Sequence, residues 1–387
     1  MRNTPETPEF RRPARPGKTN PVTLKKIPAR ARQRMSAAGM DFSEKKRGGT
    51  FIQKNQDILH SSSLEKGIEV LPLEEALKRH PRCRSLLWQL VDPDNDEFTR
   101  EVAEAKPNGY FLRAQRGSRS LFPLQSCLFL GGQNLVQNVH NLVIAEAGST
   151  LEVISGCATA AHVKSGLHNG VSEIYVRRGA KLTFTMIHNW AEEVIVRPRT
   201  GITVEEGGTF VSNYICLKPV RDVQMYPSAR LARGATGIFN SIVFAHPGAR
   251  LDIGSRIILA GKNSRGEIVS RAVSGGGSIL ARGHLRGEVP GVRGHLECRG
   301  LIIPRKGTIH AVPELEALVN DLDMSHEAAV GKIAPEEIHY LMARGISEEE
   351  AVSTIVRGFM DVSILGLPPA LQKEVDRAVG TCRGGEI

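Results

Sequence analysis

The sequence predicts a mainly β protein, with a long β-solenoid core flanked by N-terminal and C-terminal helical segments. From about Tyr110 to Pro313, short alternating runs of Val, Ile, Leu and Phe are punctuated by glycines, and no convincing helical period appears. Apolar residues with helix-like spacing occur only before and after this stretch. At 387 residues the chain is long enough for one central β domain with helical additions at both ends.

A weak repeat inside the β region favours a solenoid. Each copy places a turn before a short apolar strand, and the turn glycines Gly148, Gly179, Gly207 and Gly248 stand 31, 28 and 41 residues apart. Coils of unequal length are typical of a β-solenoid, because each coil buries its apolar side only by stacking on its neighbours. An antiparallel sandwich is the alternative that the pattern leaves open.

The N-terminal part of the chain differs from the rest in composition and charge. Residues 1–50 carry 13 Lys and Arg against 4 Asp and Glu, which is nearly all of the formal net charge of +10. Because this segment is rich in Pro and Arg and poor in apolar residues, we expect residues 1–45 to form a disordered basic tail. Residues 46–109 contain two stretches with helical spacing and are predicted to form an N-terminal helical segment.

The charge distribution argues against nucleic-acid binding. Residues 51–387 hold 38 basic and 37 acidic side chains, and aromatic residues make up only 5% of the chain, so neither a basic face nor a stacking platform is predicted. The Arg11-Arg12 pair is not followed by an apolar stretch of signal-peptide length. No run of eighteen apolar residues occurs either, so we expect a cytoplasmic protein without a membrane span.

After the predicted β-helix core of residues 110–312, residues 313–387 are predicted to form a C-terminal helical domain. Pro335 suits the first position of a helix and Gly345 suits a helix end. Ser347 and Glu350 form a capping-box pattern that begins a second helix. Residues 369–379 form a further amphipathic stretch.

Three residue types that bind iron or zinc occur close together in the second half of the chain. Cys298 is followed by the pair His326-Glu327, so a thiol, an imidazole and a carboxyl group lie within 29 residues. The six cysteines are at least 30 residues apart and form no CxxC pair, which argues against a disulfide framework and a closed four-cysteine site. We therefore expect a loosely held ligand or a site shared between chains.

Each of these candidates also has a structural interpretation. A free cysteine such as Cys298 is often simply a small buried apolar residue. Ser325 could cap a short helical turn, with Glu327 stabilised by the dipole at the start of that turn.

Cys157 is a second candidate thiol. To accept sulfur as a persulfide a thiol must ionise partly, which a cationic neighbourhood containing His162, Lys164 or His168 would favour. The alternative is a core cysteine inside a solenoid coil.

Several short motifs stand out in order along the chain: Gly156-Cys157-Ala158-Thr159, His188-Asn189-Trp190, Ser325-His326-Glu327-Ala328, Gly331-Lys332-Ile333, and the paired helical stretches 340–351 and 355–359. Together they resemble the SufB/SufD family of iron-sulfur cluster assembly scaffolds, and the likeness extends over about residues 51–361. The resemblance implies a right-handed parallel β-helix between two helical segments, which agrees with the solenoid pattern.

The resemblance also implies roles for individual residues. Cys298 and Glu327 match positions typical of the SufB kind of subunit, and His326 matches a histidine found in both kinds. By this likeness, Cys298, His326 and Glu327 hold a transient, nascent iron-sulfur cluster at a subunit interface, and Cys157 receives the sulfur. His188 stands where SufB proteins carry a glutamine that lines the sulfur path, which is a departure from the family pattern.

Partners follow from the same resemblance. The chain lacks a G-x-x-x-x-G-K-[ST] motif, so we expect a scaffold and not an enzyme with its own ATPase activity. The resemblance implies a separate ABC-type ATPase, SufC, docked on the C-terminal helices. It further implies a homodimer or a pairing with a SufD-like subunit, sulfur from a cysteine desulfurase or sulfur carrier, and delivery to apo iron-sulfur acceptor proteins.

Two other functions fit parts of the pattern. Parallel β-helices also occur in carbohydrate-active enzymes, but those need clustered charged residues in an open groove, and no Asp/Glu ladder recurs at the coil period. A nucleic-acid-binding or anion-binding protein could use the basic tail, but the nearly neutral body offers it no support.

Overall fold

The computed structural model describes residues 10–13, 22–303 and 307–360. The protein is mainly β, with 51% strand and 15% helix, and a parallel β-solenoid of about eight turns lies between flanking helices. This confirms the predicted β-helix core, and the antiparallel sandwich is wrong.

The described strands are β1 (Gly49–Lys54), β2 (Asp57–Ser63), β3 (Ile68–Pro72), β4 (Tyr110–Ala114), β5 (Leu124–Leu130), β6 (Leu135–Ala145), β7 (Thr150–Thr159), β8 (Ser165–Val176), β9 (Lys181–Asn189), β10 (Glu193–Val204), β11 (Thr209–Cys216), β12 (Asp222–Met225), β13 (Ser228–Leu231), β14 (Thr236–Ala245), β15 (Arg250–Leu259), β16 (Arg265–Ser274), β17 (Ser278–Gly287), β18 (Arg293–Ile302), β19 (Thr308–Ala317) and β20 (Asp323–Lys332). The described α-helices are α1 (Ala29–Ser36), α2 (Leu73–Arg79), α3 (Glu97–Glu104), α4 (Pro335–Met342) and α5 (Glu348–Phe359), and 3-10 turns occur at Leu24–Lys26 and Pro81–Leu86.

The strands form two facing sheets, and the chain alternates between them. One sheet has the order β2-β1-β5-β7-β9-β11-β14-β16-β18-β20, and the other has the order β19-β17-β15-β12-β10-β8-β6-β4-β3 with β13 beside β10 and β15. From β4 and β5 onward neighbouring strands are parallel. Because side chains alternate along a strand, every second residue of each strand points into the space between the sheets.

The glycine turns predicted from the repeat lie where the chain passes between sheets. Gly148, Gly179, Gly207 and Gly248 have φ values of 69°, 64°, 65° and 79°, in the left-handed region that favours glycine. Their role in the repeat is thereby confirmed.

The β-helix extends further than residue 312. The strands β19 and β20 continue the two sheets to Lys332, so the predicted change to helix at residue 313 is wrong. Pro313, the predicted first residue of the C-terminal helical domain, lies inside β19, the last strand of its sheet. An edge strand tolerates proline because one side of its backbone has no ladder partner.

The predicted N-terminal boundaries also need correction. Residues 22–45 were expected to be disordered, yet Leu24, Ile27 and Met35 are buried against the outer side of β1, β5 and β7. These few apolar residues are enough to hold the basic segment on the sheet. Residues 46–109 contain the strands β1, β2 and β3 as well as the helices α2 and α3, so the prediction of a purely helical segment is wrong. Residues 1–9 and 14–21 of the predicted tail lie outside the described residues.

The two predicted C-terminal helices are confirmed. Pro335 is the first residue of α4, and the side chains of Ser347 and Glu350 form a capping box at the start of α5. Helix α5 packs Val352 and Val356 on the apolar outer face of the sheet that contains β7, β9, β11, β14, β16 and β18. The predicted stretch 369–379 lies outside the described residues.

Candidate functional site

Cys298 lies on β18 with its side chain inside the β-helix. It is 2% exposed and belongs to the main apolar core. Burial, and to a smaller degree the neighbouring charge of Glu297, raises the pKa of this thiol to about 11. The thiol is therefore protonated at neutral pH, and binding a metal ion would have to displace the proton.

His326 and Glu327 lie on β20, the last strand of the same sheet. Ser325 does not cap a helical turn, because residues 323–332 form a strand, and that interpretation is wrong. The register pairs His326 with Leu296 and Glu327 with Glu297. His326 therefore shares the inward face with Cys298, whereas Glu327 lies on the outward face.

One chain does not assemble the predicted ligand set. With strands about 4.8 Å apart and a rise of about 3.3 Å per residue, the Cα atoms of Cys298 and His326 are about 8 Å apart. Across residues 10–13, 22–303 and 307–360, no group of three or more His, Cys, Asp and Glu side chains is placed to hold a metal ion. A cluster at this place would need ligands from elsewhere.

Within the described residues, no further strand covers the end of the β-helix that carries these residues, and we call it the open end. Both β19 and β20 are terminal strands, so their outer edges face no further strand of the described chain. Leu315, Leu318 and Val330 are exposed there, although large apolar side chains are usually covered. Free strand edges with apolar neighbours are suited to pairing with strands of another chain.

Cys157 lies near the opposite end of the same sheet. Its side chain is buried in the core and in register with Leu128 on one side and His188 on the other. Burial raises the pKa of the Cys157 thiol to about 12. Like Cys298, Cys157 is therefore a protonated thiol at neutral pH.

The cationic neighbourhood predicted for Cys157 is absent from the described structure. His162 and Lys164 are exposed on the turn after β7, outside the core that holds Cys157. His168 is buried, its Nδ1 lies 2.9 Å from the side-chain oxygen of Gln137, and burial lowers its pKa to about 3. The prediction failed because sequence proximity does not tell which residues point inward.

A cluster of polar and aromatic side chains lies beside Cys157. The hydroxyl of Tyr214 is 2.9 Å from Nδ1 of His188, and burial lowers the pKa of His188 to about 3. The Trp190 ring lies 5.4 Å from His188 and 5.1 Å from His168. The indole N–H of Trp190 and the hydroxyl of Thr159 are buried without hydrogen-bond partners. A buried indole N–H normally has a partner, so this part of the interior has unused capacity for a small polar group.

Arg34 of α1 holds the corner of the coil that contains this cluster. Its guanidinium donates to the backbone carbonyls of Thr159, Asn189 and Trp190 at 2.9, 3.2 and 3.1 Å. The side chain of Asn189 donates back to the Arg34 carbonyl. Burial lowers the pKa of Arg34, but the guanidinium still donates three hydrogen bonds. No sequence signal identified this residue, because it lies in the segment that was expected to be disordered.

A column of mostly polar side chains, interrupted by Met186, runs through the core between the regions of the two cysteines. The strand registers place the following residues one above another on the inward face: Ser126, Ser155, Met186, Tyr214, Ser241, Ser270 and Cys298. The hydroxyls of Ser126 and Ser155 are 2.9 Å apart, and those of Ser241 and Ser270 are 3.1 Å apart. A cavity of about 40 Å³ borders Met186, Tyr214, Ser241 and Ser270. We name this set the hydroxyl column.

The fold and these sites define a β-helix protein whose described part carries isolated buried thiols and no preassembled group of metal-binding side chains. Residues 128–359 match the family model described as SUF system FeS cluster assembly, SufBD core domain. An iron-sulfur cluster assembly SufBD family protein of Archaeoglobus fulgidus is 48% identical over 348 residues, covering 90% of this chain and 94% of that protein. A SufBD family protein of Methanothermobacter thermautotrophicus is 47% identical over 359 residues, covering 91% and 88%.

The iron-sulfur cluster assembly protein SufB of Bacillus subtilis is 28% identical over 383 residues, covering 94% of this chain and 80% of that protein. The chain belongs to the SufBD family of iron-sulfur cluster assembly proteins. Within the described residues, none of the helices has the length and apolar character needed to cross a membrane.

Proposed function

We propose that this protein is a SufB-like scaffold of the SUF system, which receives sulfur and iron and builds a transient iron-sulfur cluster at a subunit interface. The observation that carries the proposal is the position of Cys298 and His326. Both lie on the inward face of the last two strands of one sheet, at the open end of the β-helix. Ligands presented at an open strand edge can be completed by a second chain.

The chemistry of the ligand set suits a cluster that is passed on. Stable iron-sulfur clusters usually have four thiolates, whereas this chain offers one soft thiolate with an imidazole and a carboxylate. The raised pKa of Cys298 also opposes the metal-bound form, because the proton competes with iron for the sulfur. Iron and sulfide are the materials handled here, and the mixed ligands favour their release to apo acceptor proteins.

Sulfur is proposed to arrive as a persulfide on Cys157 and to pass through the core towards Cys298. The hydroxyl column supports this route, since it places polar side chains in an otherwise apolar interior between the two cysteines. His188 takes part through its contact with Tyr214. Its imidazole replaces the amide found in the SufB pattern while keeping a polar group at the inward position.

Other components are proposed from the family and from the exposed surfaces. The energy source is a SufC-like ABC ATPase that docks on the C-terminal helices, where Tyr340 and Met342 of α4 are exposed. The second chain at the open end is another copy of this protein or a SufD-like subunit. A cysteine desulfurase or sulfur carrier supplies the sulfur, and the protein acts as a scaffold in the cytoplasm.

Anaerobic reconstitution with ferrous iron, sulfide and the ATPase tests this function. The wild type should develop the visible absorbance of an iron-sulfur cluster, and Cys298→Ala should lose most of it. Cys83→Ala is the matched control, because Cys83 is also buried but lies in the N-terminal 3-10 turn far from β18. Equal cluster yield in Cys298→Ala and the wild type would overturn the proposal.

A further inference from the structure

Three surface segments meet at the corner of the β-helix that precedes β5. The amide of Gly48 donates to the Pro123 carbonyl at 3.1 Å, and the amide of Leu64 donates to the Gly48 carbonyl at 2.9 Å. The amide of Gln115 donates to the Gly67 carbonyl at 2.8 Å, which joins the third segment. Residues 44–48, 63–67 and 115–123 therefore form one continuous surface.

This surface exposes apolar side chains that a folded protein would normally cover. Leu121 is 81% exposed, Leu64 is 49% exposed and Phe122 is 39% exposed. They are surrounded by five exposed cationic residues, and we call the whole set the basic corner: Lys45, Lys46, Leu64, Lys66, Arg116, Arg119, Leu121 and Phe122. Single exposed apolar residues are common, but a contiguous group inside a charged rim is typical of an interaction site.

The apolar tip of the basic corner is held rigidly. The carboxylate of Glu65 accepts hydrogen bonds from the backbone amides of Leu121 and Phe122 at 2.8 and 3.0 Å. Since the loop is already fixed by this carboxylate, a partner would not have to order it. Such pre-organisation strengthens binding without new contacts.

Among the residues that the structure describes, the charges of the basic corner have no ion-pair partner. None of its five cationic side chains forms an ion pair with another described residue. The nearby carboxylates are engaged elsewhere, because Glu65 binds the loop amides and Glu44 accepts hydrogen bonds from Thr50 and Ser62. The corner therefore presents a local excess of positive charge on a body that is otherwise nearly neutral.

We propose that the basic corner docks the protein that delivers sulfur to Cys157, and that this partner presents an acidic surface around an apolar pocket for Leu121. The proposal rests on the proposed function for the role of Cys157. Leu124, which follows the loop, pairs with Val153 of β7, and Cys157 lies four residues further along that strand. At about 3.3 Å per residue, Leu124, the first strand residue after the loop of the docking surface, lies about 13 Å from the receiving Cys157 along the strand direction.

The transfer needs no oxidant. The sulfur of Cys157 attacks the outer sulfur of the donor's cysteine persulfide, so a new S–S bond forms on Cys157 while the donor's S–S bond breaks. The donor leaves as a thiol and takes up the proton that Cys157 releases.

A membrane surface fits the basic corner less well than a protein pocket. Of its three apolar residues, Leu121 is the most exposed at 81%, and the burial of one leucine is too little for stable anchoring to a bilayer. A protein pocket adds contacts to Leu64 and Phe122 together with a fixed arrangement of carboxylates.

Binding of the cysteine desulfurase or sulfur carrier from the same organism, measured at low and high salt, tests the proposal. We expect Lys45→Glu/Lys46→Glu and Leu121→Ser/Phe122→Ser each to weaken binding at least tenfold and to reduce 35S transfer from labelled cysteine to Cys157. The control is Lys262→Glu/Arg293→Glu, which reverses two exposed charges on later coils of the β-helix. This control should bind like the wild type.

Equal binding by the wild type and both corner variants would overturn the proposal. It would also be overturned if the corner variants lost binding to phosphatidylglycerol vesicles while keeping full affinity for the sulfur donor. Cluster formation from free sulfide separates this proposal from the scaffold function. The corner variants should still form a cluster from free sulfide, since they leave Cys298 unchanged. Failure of the proposed scaffold function would instead appear as full cluster yield in Cys298→Ala.

Discussion

The alkylation rate of Cys298 gives a direct test of the environment of this thiol, the proposed cluster ligand. Burial raises its pKa from 9.0 to about 11. Two pKa units correspond to an approximately 100-fold smaller thiolate population at pH 8, or about 2.7 kcal/mol. Because the thiolate is the reactive form, iodoacetamide should modify Cys298 in the folded protein at least ~100-fold more slowly than in urea-unfolded protein.

The pH dependence makes the test sharper. The rate at Cys298 should rise about tenfold per pH unit up to about pH 10 and level off only near pH 11, and peptide mass spectrometry can follow each cysteine separately. Cys157 is the internal comparison, because its pKa of about 12 should make it slower still. Glu297→Gln should accelerate Cys298 modestly, since the Glu297 charge is the smaller cause of the shift. A folded-state midpoint near pH 9 at Cys298 would refute the reasoning.

Three further predictions concern stability. Glu173 is fully buried, accepts hydrogen bonds from the backbone amides of residues 88–90, and lies 2.8 Å from the His140 ring. Glu173→Ala should therefore reduce the free energy of unfolding by about 3–5 kcal/mol and expose those amides to hydrogen exchange. Glu193 is half exposed and serves as the control, because Glu193→Ala should reduce the free energy of unfolding by less than about 1 kcal/mol. Deleting residues 1–45 should lower the urea midpoint, because residues 22–45 cover part of the core; a midpoint equal to that of the full-length chain would contradict the packing. Stability should fall between about pH 9 and pH 12, because the buried thiols keep their protons in the folded state while the unfolded thiols lose them; a flat urea midpoint from pH 8 to pH 10.5 would be inconsistent with these raised pKa values.

The class of fold could be predicted because it depends on local patterns. Glycines such as Gly148 and Gly179 mark left-handed turns wherever they occur, and the capping box of Ser347 and Glu350 needs no distant partner. The boundary errors have a common cause. Pro313 lies within a strand because β19 is at the edge of its sheet, which the local sequence does not show. The basic N-terminal segment is ordered because a few of its apolar residues are buried against the sheet, which its overall composition does not show.

The candidate site could be predicted only in part, for a reason of register. The sequence indicates Cys157, Cys298 and His326 as candidates because of their side-chain chemistry. Their relative positions depend on the strand that each of them occupies. The hydroxyl column could not be predicted, since its members come from coils of different length and align only when the two sheets fix the register. Tyr214 was missed for this reason, although a polar residue among inward apolar positions was visible in the sequence.

The alternation of side chains along β20 limits how the proposed ligands can act together. His326 points to the same side as Cys298, while Glu327 stacks on Glu297 on the outer face, so the three cannot surround one small cluster while β20 keeps its register with β18. Two solutions remain: the strand edge rearranges when it pairs with another chain, or the second chain supplies the missing ligand. Both make the contact between chains part of the site itself. A single subunit would then hold iron weakly even with every ligand residue present, and assembly at the open end would decide when a cluster can form and when it is released.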